Sequence, residues 1–284
     1  MSLPQPSVIA QDEIARTYER DGFVVPIDVL SQSQAHTLRI DLETAETELA
    51  GDPEKLALLK AYPDRLLPSF DALTRNETLI AAASAVLGPD LMVWSAGLFI
   101  KEANSPKIVS WHQDLTYWGL DDICETTCWF ALSAASEQAG CMKFVPGSHK
   151  TKIVPHVDTY DEDNLLTRGQ HIHDINSANI VAMPLRPGQV SFHNIGTAHG
   201  SGTNSTEDRR IGLSLHYMPT HTRQTLADWD SAALVRGTDV HNHFDHAPRP
   251  TTDLDPAIME YHARSSEALR KIVYDGAKTT RTTL

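Results

Sequence analysis

Apolar residues recur at helical spacing in two stretches before residue 90. Ala35, Leu38, Leu42, Ala45 and Leu49 fall three or four apart behind Ser31, whose hydroxyl can cap a first turn. That spacing predicts a helix from Ser31 through Ala50. Leu79 to Leu87 is apolar behind Asn76 and is stopped by Gly88-Pro89, which predicts a second helix from Glu77 to Leu87. Ahead of both, Ile14 to Tyr18 reads as a helical turn feeding an extended segment, Gly22 to Pro26.

After Pro89 the period changes. Leu91 to Ile100, Thr127 to Leu132, Met142 to Val145, Ile180 to Met183, Gln189 to Phe192 and Ile211 to Tyr217 are short β-branched or aromatic runs. Gly, Pro, Asn and Ser separate them, and no regular helices lie between, so a barrel or sandwich is expected rather than a βαβ sheet. The polar stretch 150–179 is expected to cross one mouth of that barrel. A last helix is expected over Pro256 to Asp275, with the final KTTRTTL frayed. No repeat or linker divides the chain. A single domain over 1–284 is expected, with helical support to about 90, a β core over about 91–220 and a C-terminal helical extension beyond.

Composition narrows the partners. The 284 residues carry 24 Lys and Arg against 37 Asp and Glu, a formal charge of −13, which argues against nucleic acid and anionic membrane surfaces. The apolar run at Leu79 is far short of the roughly 20 residues of a spanning helix. The opening MSLPQPSVIAQDE has no basic region followed by an apolar one, so no secretory signal is read there. Cys124, Cys128 and Cys141 are odd in number and suggest no disulfide framework, so a cytoplasmic location is expected.

The chemistry lies in the histidines. His-x-Asp occurs three times, at His112/Asp114, His156/Asp158 and His243/Asp245, against roughly one expected by chance. Only the first copy follows an apolar strand region and sits among aromatics, in SWHQDLTYW. In an extended chain His112 and Asp114 point to one side and can share an ion while Gln113 points away. His156 reads as a solvated loop residue, and the HNHFDH stretch from His241 to His246 as structural. The third ligand is His193 or His199. His199 is favoured by its small neighbours Ala198, Gly200, Ser201 and Gly202, and His193 reads as a satisfied histidine at a strand end. Arg210 opens an apolar strand, where a buried cation calls for a bound anion. Arg210 is chosen over Arg209 because it shares a face with Gly212 and Ser214.

Taken in order, Trp111-His-Gln-Asp-Leu115, Gly140-Cys-Met-Lys-Phe-Val-Pro-Gly-Ser-His149, His199-Gly-Ser-Gly202 and Arg210 resemble the phytanoyl-CoA dioxygenase family. The resemblance implies a mainly β fold, a double-stranded β-helix of the jelly-roll or cupin kind with flanking helices. It implies Fe(II) held by His112, Asp114 and His199, with 2-oxoglutarate and O2 as cosubstrates. Arg210 would pair with the distal carboxylate of 2-oxoglutarate, Ser201 would add a hydrogen bond, Trp129 would shape that pocket, and Lys101 would also face the anion. The implied reaction hydroxylates a C–H bond of a small metabolite and releases succinate and CO2. Desaturation, cyclisation and epimerisation draw on the same cofactors. A carboxylate at position 114 fits hydroxylation, since chlorinating members carry Gly or Ala there. Tyr117, Trp118 and Asp121, with Asp122 and Glu125, are the substrate candidates, a set suited to a small cationic or zwitterionic molecule. A cupin-type metal isomerase and a non-catalytic binding protein are the rival classes. The sequence does not set the oligomeric state.

Overall fold

Local chemistry sets the helices. A computed structural model describes residues 11–175 and 179–280. Its helices are α1 Gln11–Asp21, α2 Gln32–Leu49, α3 Pro53–Leu58, α4 Pro63–Leu66, α5 Pro68–Thr74, α6 Glu77–Leu87 and α7 Pro256–Val273. At α2 the Ser31 side chain accepts the Gln34 N–H, and Gln34 Oε1 accepts the Ser31 N–H at 2.9 Å, a reciprocal cap that fixes the start. Asn76 Oδ1 accepts the Thr78 N–H at 2.9 Å and starts α6 where its pattern begins. Both helices match the sequence expectation to within a residue or two.

The strands are β1 Phe23–Asp28, β2 Leu91–Lys101, β3 Val109–His112, β4 Thr126–Ala131, β5 Met142–Phe144, β6 Val157–Asp158, β7 Gln170–His171, β8 Val181–Met183, β9 Gln189–Asn194, β10 His199–Ser201, β11 Arg210–Pro219, β12 Ser231–Arg236 and β13 Asp245–His246. Among the described residues they form a large sheet in the order β1-β9-β4-β11-β2-β12-β13, a small sheet β3-β10-β5-β8 and the separate pair β6-β7. The mainly β core of two sheets with flanking helices is the architecture expected. Its limits are not those expected. β1 adds to the edge at β9 and β12 pairs with β2, so the sheet draws on segments outside 91–220. The last residues of the expected frayed tail, 281–284, lie outside the described residues.

Alternation along β11 divides the molecule into support and site. Ile211, Leu213, Leu215 and Tyr217 face outward and pack with Leu42, Phe70 and Leu79 of the helices, each such burial adding about 1.5–3 kcal/mol. Arg210, Gly212, Ser214 and His216 fall on the inner face, with Lys101, Phe99, Gly97 and Ser95 of β2 opposite them. Gly212 is required: a Cβ there would stand 1.8 Å from the Trp129 ring.

Of the polar excursion, whose residues 176–178 lie outside the described ones, Leu165 to Arg168 and Gln170 line the cavity, and a set of contacts holds them. Arg168 donates from Nε to Asp158 at 2.8 Å and from Nη1 to the Asp275 carbonyl, just past α7, at 3.0 Å. Tyr117 donates to the same Asp158 at 2.9 Å and carries the Arg168 guanidinium 4.6 Å over its ring. Tyr274 donates to the Thr167 carbonyl. No helix among the described residues is long and apolar enough to cross a membrane.

Candidate metal centre and cosubstrate pocket

β3 and β10 are neighbours, and their register sets His112 opposite His199. The His112 Nδ1 lies 2.8 Å from the Ser110 carbonyl and the His199 Nδ1 2.9 Å from the Thr197 carbonyl. A carbonyl has no proton to give, so both Nδ1 atoms carry a hydrogen and both Nε2 atoms are turned toward Asp114. Those atoms lie 3.2 and 3.8 Å from Asp114 Oδ1. The three residues bring one ligand atom each within 4.8 Å of one another, the one such group among the described residues. Burial pushes the Asp114 carboxyl up, but His199, His112 and His193 around it prevail and hold it well below the usual range. Burial, with His112 alongside, drives His199 well down and keeps it neutral. Two imidazoles and a carboxylate, fixed from behind, suit a divalent metal such as Fe(II).

The local backbone differs from the extended run expected. β3 ends at His112, and Asp114 opens a short 3-10 turn, Asp114–Tyr117. Gln113 alone is extended (φ −123°, ψ 130°), which suffices to keep the pair on one side. Its side chain turns away as expected, donating to the Gly196 carbonyl at 2.8 Å and accepting the Val154 N–H at 2.9 Å. Thr127 Oγ1 donates to Asp114 Oδ2 at 2.9 Å.

Two histidines are placed otherwise than expected. His193 is buried without a hydrogen-bond partner, with Nε2 3.5 Å from Asp114 Oδ2 and its ring 4.5 Å from that of His199. It is not a satisfied strand-end histidine: pairing of β9 with β4 sets it opposite Thr127, which holds Asp114 beside it. His156 is not a solvated loop residue. Its Nε2 accepts the Gln113 N–H at 2.9 Å and its Nδ1 donates to the Val154 carbonyl at 2.9 Å, so it braces the peptide between His112 and Asp114. His243 accepts from Arg223 Nε at 3.0 Å, away from this group.

The other end of the cavity holds two buried basic side chains. Arg210 is 1% exposed; it donates to the Gly140 carbonyl at 3.0 Å, lies 4.7 Å over the Trp129 ring and leaves Nε unpartnered. Lys101 Nζ donates to Ser201 Oγ at 2.6 Å and to the Gly202 carbonyl. No carboxylate of the described residues meets either cation. Uncompensated charge of this kind is costly unless an anion arrives, and the distal carboxylate of 2-oxoglutarate fits. Arg209 points outward to Glu46 at 2.8 Å and Glu102 at 2.9 Å, an ion-pair cluster rather than a solvated turn.

Burial, with Arg210 next to it, lowers Lys101 to about 6. A carboxylate reverses that shift, so binding above this pH takes up a proton. The affinity of metal-free protein for 2-oxoglutarate is expected to fall as pH rises from about 6 toward 8, by up to about tenfold per unit. Calorimetry in two buffers of unequal ionisation enthalpy reads the proton uptake. Lys101→Met should flatten the profile; an unchanged slope would assign it to another group.

Tyr117 and Trp118 line the cavity, of about 260 Å³, together with His112, Asp114, His199 and Arg210. Asp121 does not join them: it is exposed and accepts the Arg223 N–H. Asp122 accepts from His221 at 2.7 Å, and Glu125 is buried with both oxygens unpartnered, held protonated by burial with Asp114 nearby.

The family model described as Phytanoyl-CoA dioxygenase (PhyH) matches residues 18–212. The chain belongs to the phytanoyl-CoA dioxygenase family. Among family relatives, the Stutzerimonas stutzeri protein described as "Probable alpha-ketoglutarate-dependent hypophosphite dioxygenase" is 29% identical, over 62% of this chain and 63% of its own length. The peroxisomal phytanoyl-CoA dioxygenase of Rattus norvegicus is 25% identical over 72% of this chain and 67% of its own. The chain thus spans just under or about two thirds of these curated relatives. A solved non-heme monooxygenase, ThoJ in its apo form, is 30% identical with a TM-score of 0.83, covering 92% of this chain and 98% of that one. The family expected from the motifs is therefore the family found, and Fe(II) with 2-oxoglutarate is the cofactor set of this family's dioxygenases.

Proposed function

We propose that this chain is an Fe(II)- and 2-oxoglutarate-dependent dioxygenase that hydroxylates a C–H bond of a small molecule. The observation that carries this reading is one cavity with two histidines and a carboxylate at one level and two buried basic side chains without an acid partner at another. His112, Asp114 and His199 hold the iron. Arg210 anchors the distal carboxylate of 2-oxoglutarate, with Lys101 and Ser201 beside it and Trp129 as the wall against which it lies. Iron bound there supplies oxygen activation coupled to decarboxylation of 2-oxoglutarate to succinate. The protein's part is to fix the ligand tautomers through Ser110 and Thr197, orient the cosubstrate with the paired cations, and exclude water under the Arg168 contacts.

Free Cys124, Cys128 and Cys141 support a reducing, cytoplasmic location. The shared β sheet supports treating the whole chain as one domain, since β1 and β12 join it from either side. The test is succinate release from 2-oxoglutarate under air, with Fe(II) added or chelated. Release that needs both iron and 2-oxoglutarate, and grows with a candidate small molecule, is the expected result. Equal release from chelated protein would count against the reading.

A further inference from the structure

The cavity has a half that neither the ligands nor the cosubstrate anchor accounts for. In the register of β2 and β11, Lys101 stands opposite Arg210 and Ser95 opposite His216. Six residues of strand separate these levels, about 20 Å at ordinary rise, beyond the span of a five-carbon diacid. The wall at Ser95 and His216 is therefore left to the substrate.

That wall is aromatic and apolar, with Trp94, Trp118 and Leu269 packed together in it. The Trp118 ring lies 4.4 Å from that of His216 and 5.3 Å from that of Trp94. Of the nearby charged groups, Arg168 holds Asp158, Asp230 accepts from the Trp94 indole at 2.7 Å, and Asp114 is held among the metal-site histidines and Thr127. Lys60 borders the cavity but is exposed.

One polar group is set in this wall. His216 bonds Ser95 Oγ through Nδ1 at 2.6 Å and Ser214 Oγ through Nε2 at 2.9 Å. A neutral imidazole brings one N–H and one lone pair. Two hydroxyl hydrogens and one ring hydrogen therefore serve two bonds. In either tautomer one serine O–H is spare, and no other partner among the described residues takes it. Ser95 and Ser214 are 4% and 2% exposed, so the spare donor belongs to the cavity and leaving it unmet is costly.

We infer that this half of the cavity takes a neutral, flat, largely apolar molecule, with an oxygen acceptor held by Ser95, His216 and Ser214 and a ring lying against Trp118. As the identity of a substrate this rests on the oxygenase reading; as a binding site it does not.

The test uses metal-free protein without 2-oxoglutarate and three probes of one shape, 1-tetralone, tetralin and 1-aminotetralin, followed by ligand-observed NMR. 1-Tetralone is expected to bind saturably and more tightly than the cationic 1-aminotetralin. The variant Ser95→Ala/Ser214→Ala/His216→Phe keeps a ring but no donor. It should weaken 1-tetralone by about three- to tenfold while leaving tetralin within about twofold. Trp118→Ala, at a half-buried position, should weaken both neutral probes by about three- to tenfold and stands as the second variant if the triple one does not fold. Tighter binding of 1-aminotetralin, no saturable binding of 1-tetralone, or equal loss of 1-tetralone and tetralin in the triple variant would overturn the inference. Binding of 1-tetralone by a protein that releases no succinate sinks the oxygenase reading and spares this one. Iron-dependent succinate release without any 1-tetralone binding does the reverse.

Discussion

Replacing His112 or His199 by Ala is expected to abolish iron binding and iron-dependent turnover while the chain stays folded. Each Nε2 is aimed by a hydrogen bond from its own Nδ1 to a backbone carbonyl, so nothing nearby can swing in as a substitute. His193 is the nearest other imidazole, but its Nε2 faces the far oxygen of Asp114, Oδ2, which Thr127 also uses. Asp114→Gly should remove the carboxylate and hydroxylation together, without touching Arg210. His156→Ala is the graded case. Its loss frees the Gln113 peptide but removes no ligand, so iron affinity should fall by about 10–100-fold. The measurement is iron content after titration, beside a thermal unfolding curve for each variant. Retention of iron by His112→Ala, with its loss in His156→Ala, would place the metal on the wrong copy of the motif.

Arg210→Ala should be the most damaging change at the cosubstrate end. A buried, charge-assisted contact broken from one side costs about 2–5 kcal/mol, or roughly 30- to several-thousand-fold in affinity. Arg210 sits on Trp129 with Nε still to be satisfied, and an ammonium reproduces neither the stack nor the fork. Arg210→Lys should therefore recover only part of the loss. Arg209→Ala breaks contacts to Glu46 and Glu102 on the outer face and should leave 2-oxoglutarate affinity nearly intact. Apparent affinities for 2-oxoglutarate in the three variants decide it. A crippled Arg209→Ala would mean that the inner and outer faces of β11 are exchanged.

Features set by neighbours in the chain were legible in the sequence. Ser31 and Asn76 announce α2 and α6 because a cap and an apolar period are local, and the face shared by Arg210, Gly212 and Ser214 follows from strand alternation alone. What was hidden depends on pairing between distant segments. His193 reads as an ordinary strand-end residue until β9 lies beside β4 and carries it to Asp114. His156 reads as loop until its ring meets a peptide 43 positions earlier. Asp121 reads as a pocket acid because it follows Trp118, yet Gly119 (φ 64°) turns the chain outward before it. β1 escaped the core for the same reason: its partner is β9, far along the chain.

Arg168 joins the excursion to the end of α7 and to Tyr117 beside the ligands. These contacts share one guanidinium and one carboxylate, so the covering segments are tied to each other at a single point as well as to the cavity wall. Loosening that small ionic knot frees the excursion, Tyr117 and the chain after α7 from one another at once. The last turn of α7, more than 150 residues from Asp114 in sequence, thereby becomes part of the door, and a deletion there alters traffic before it alters chemistry.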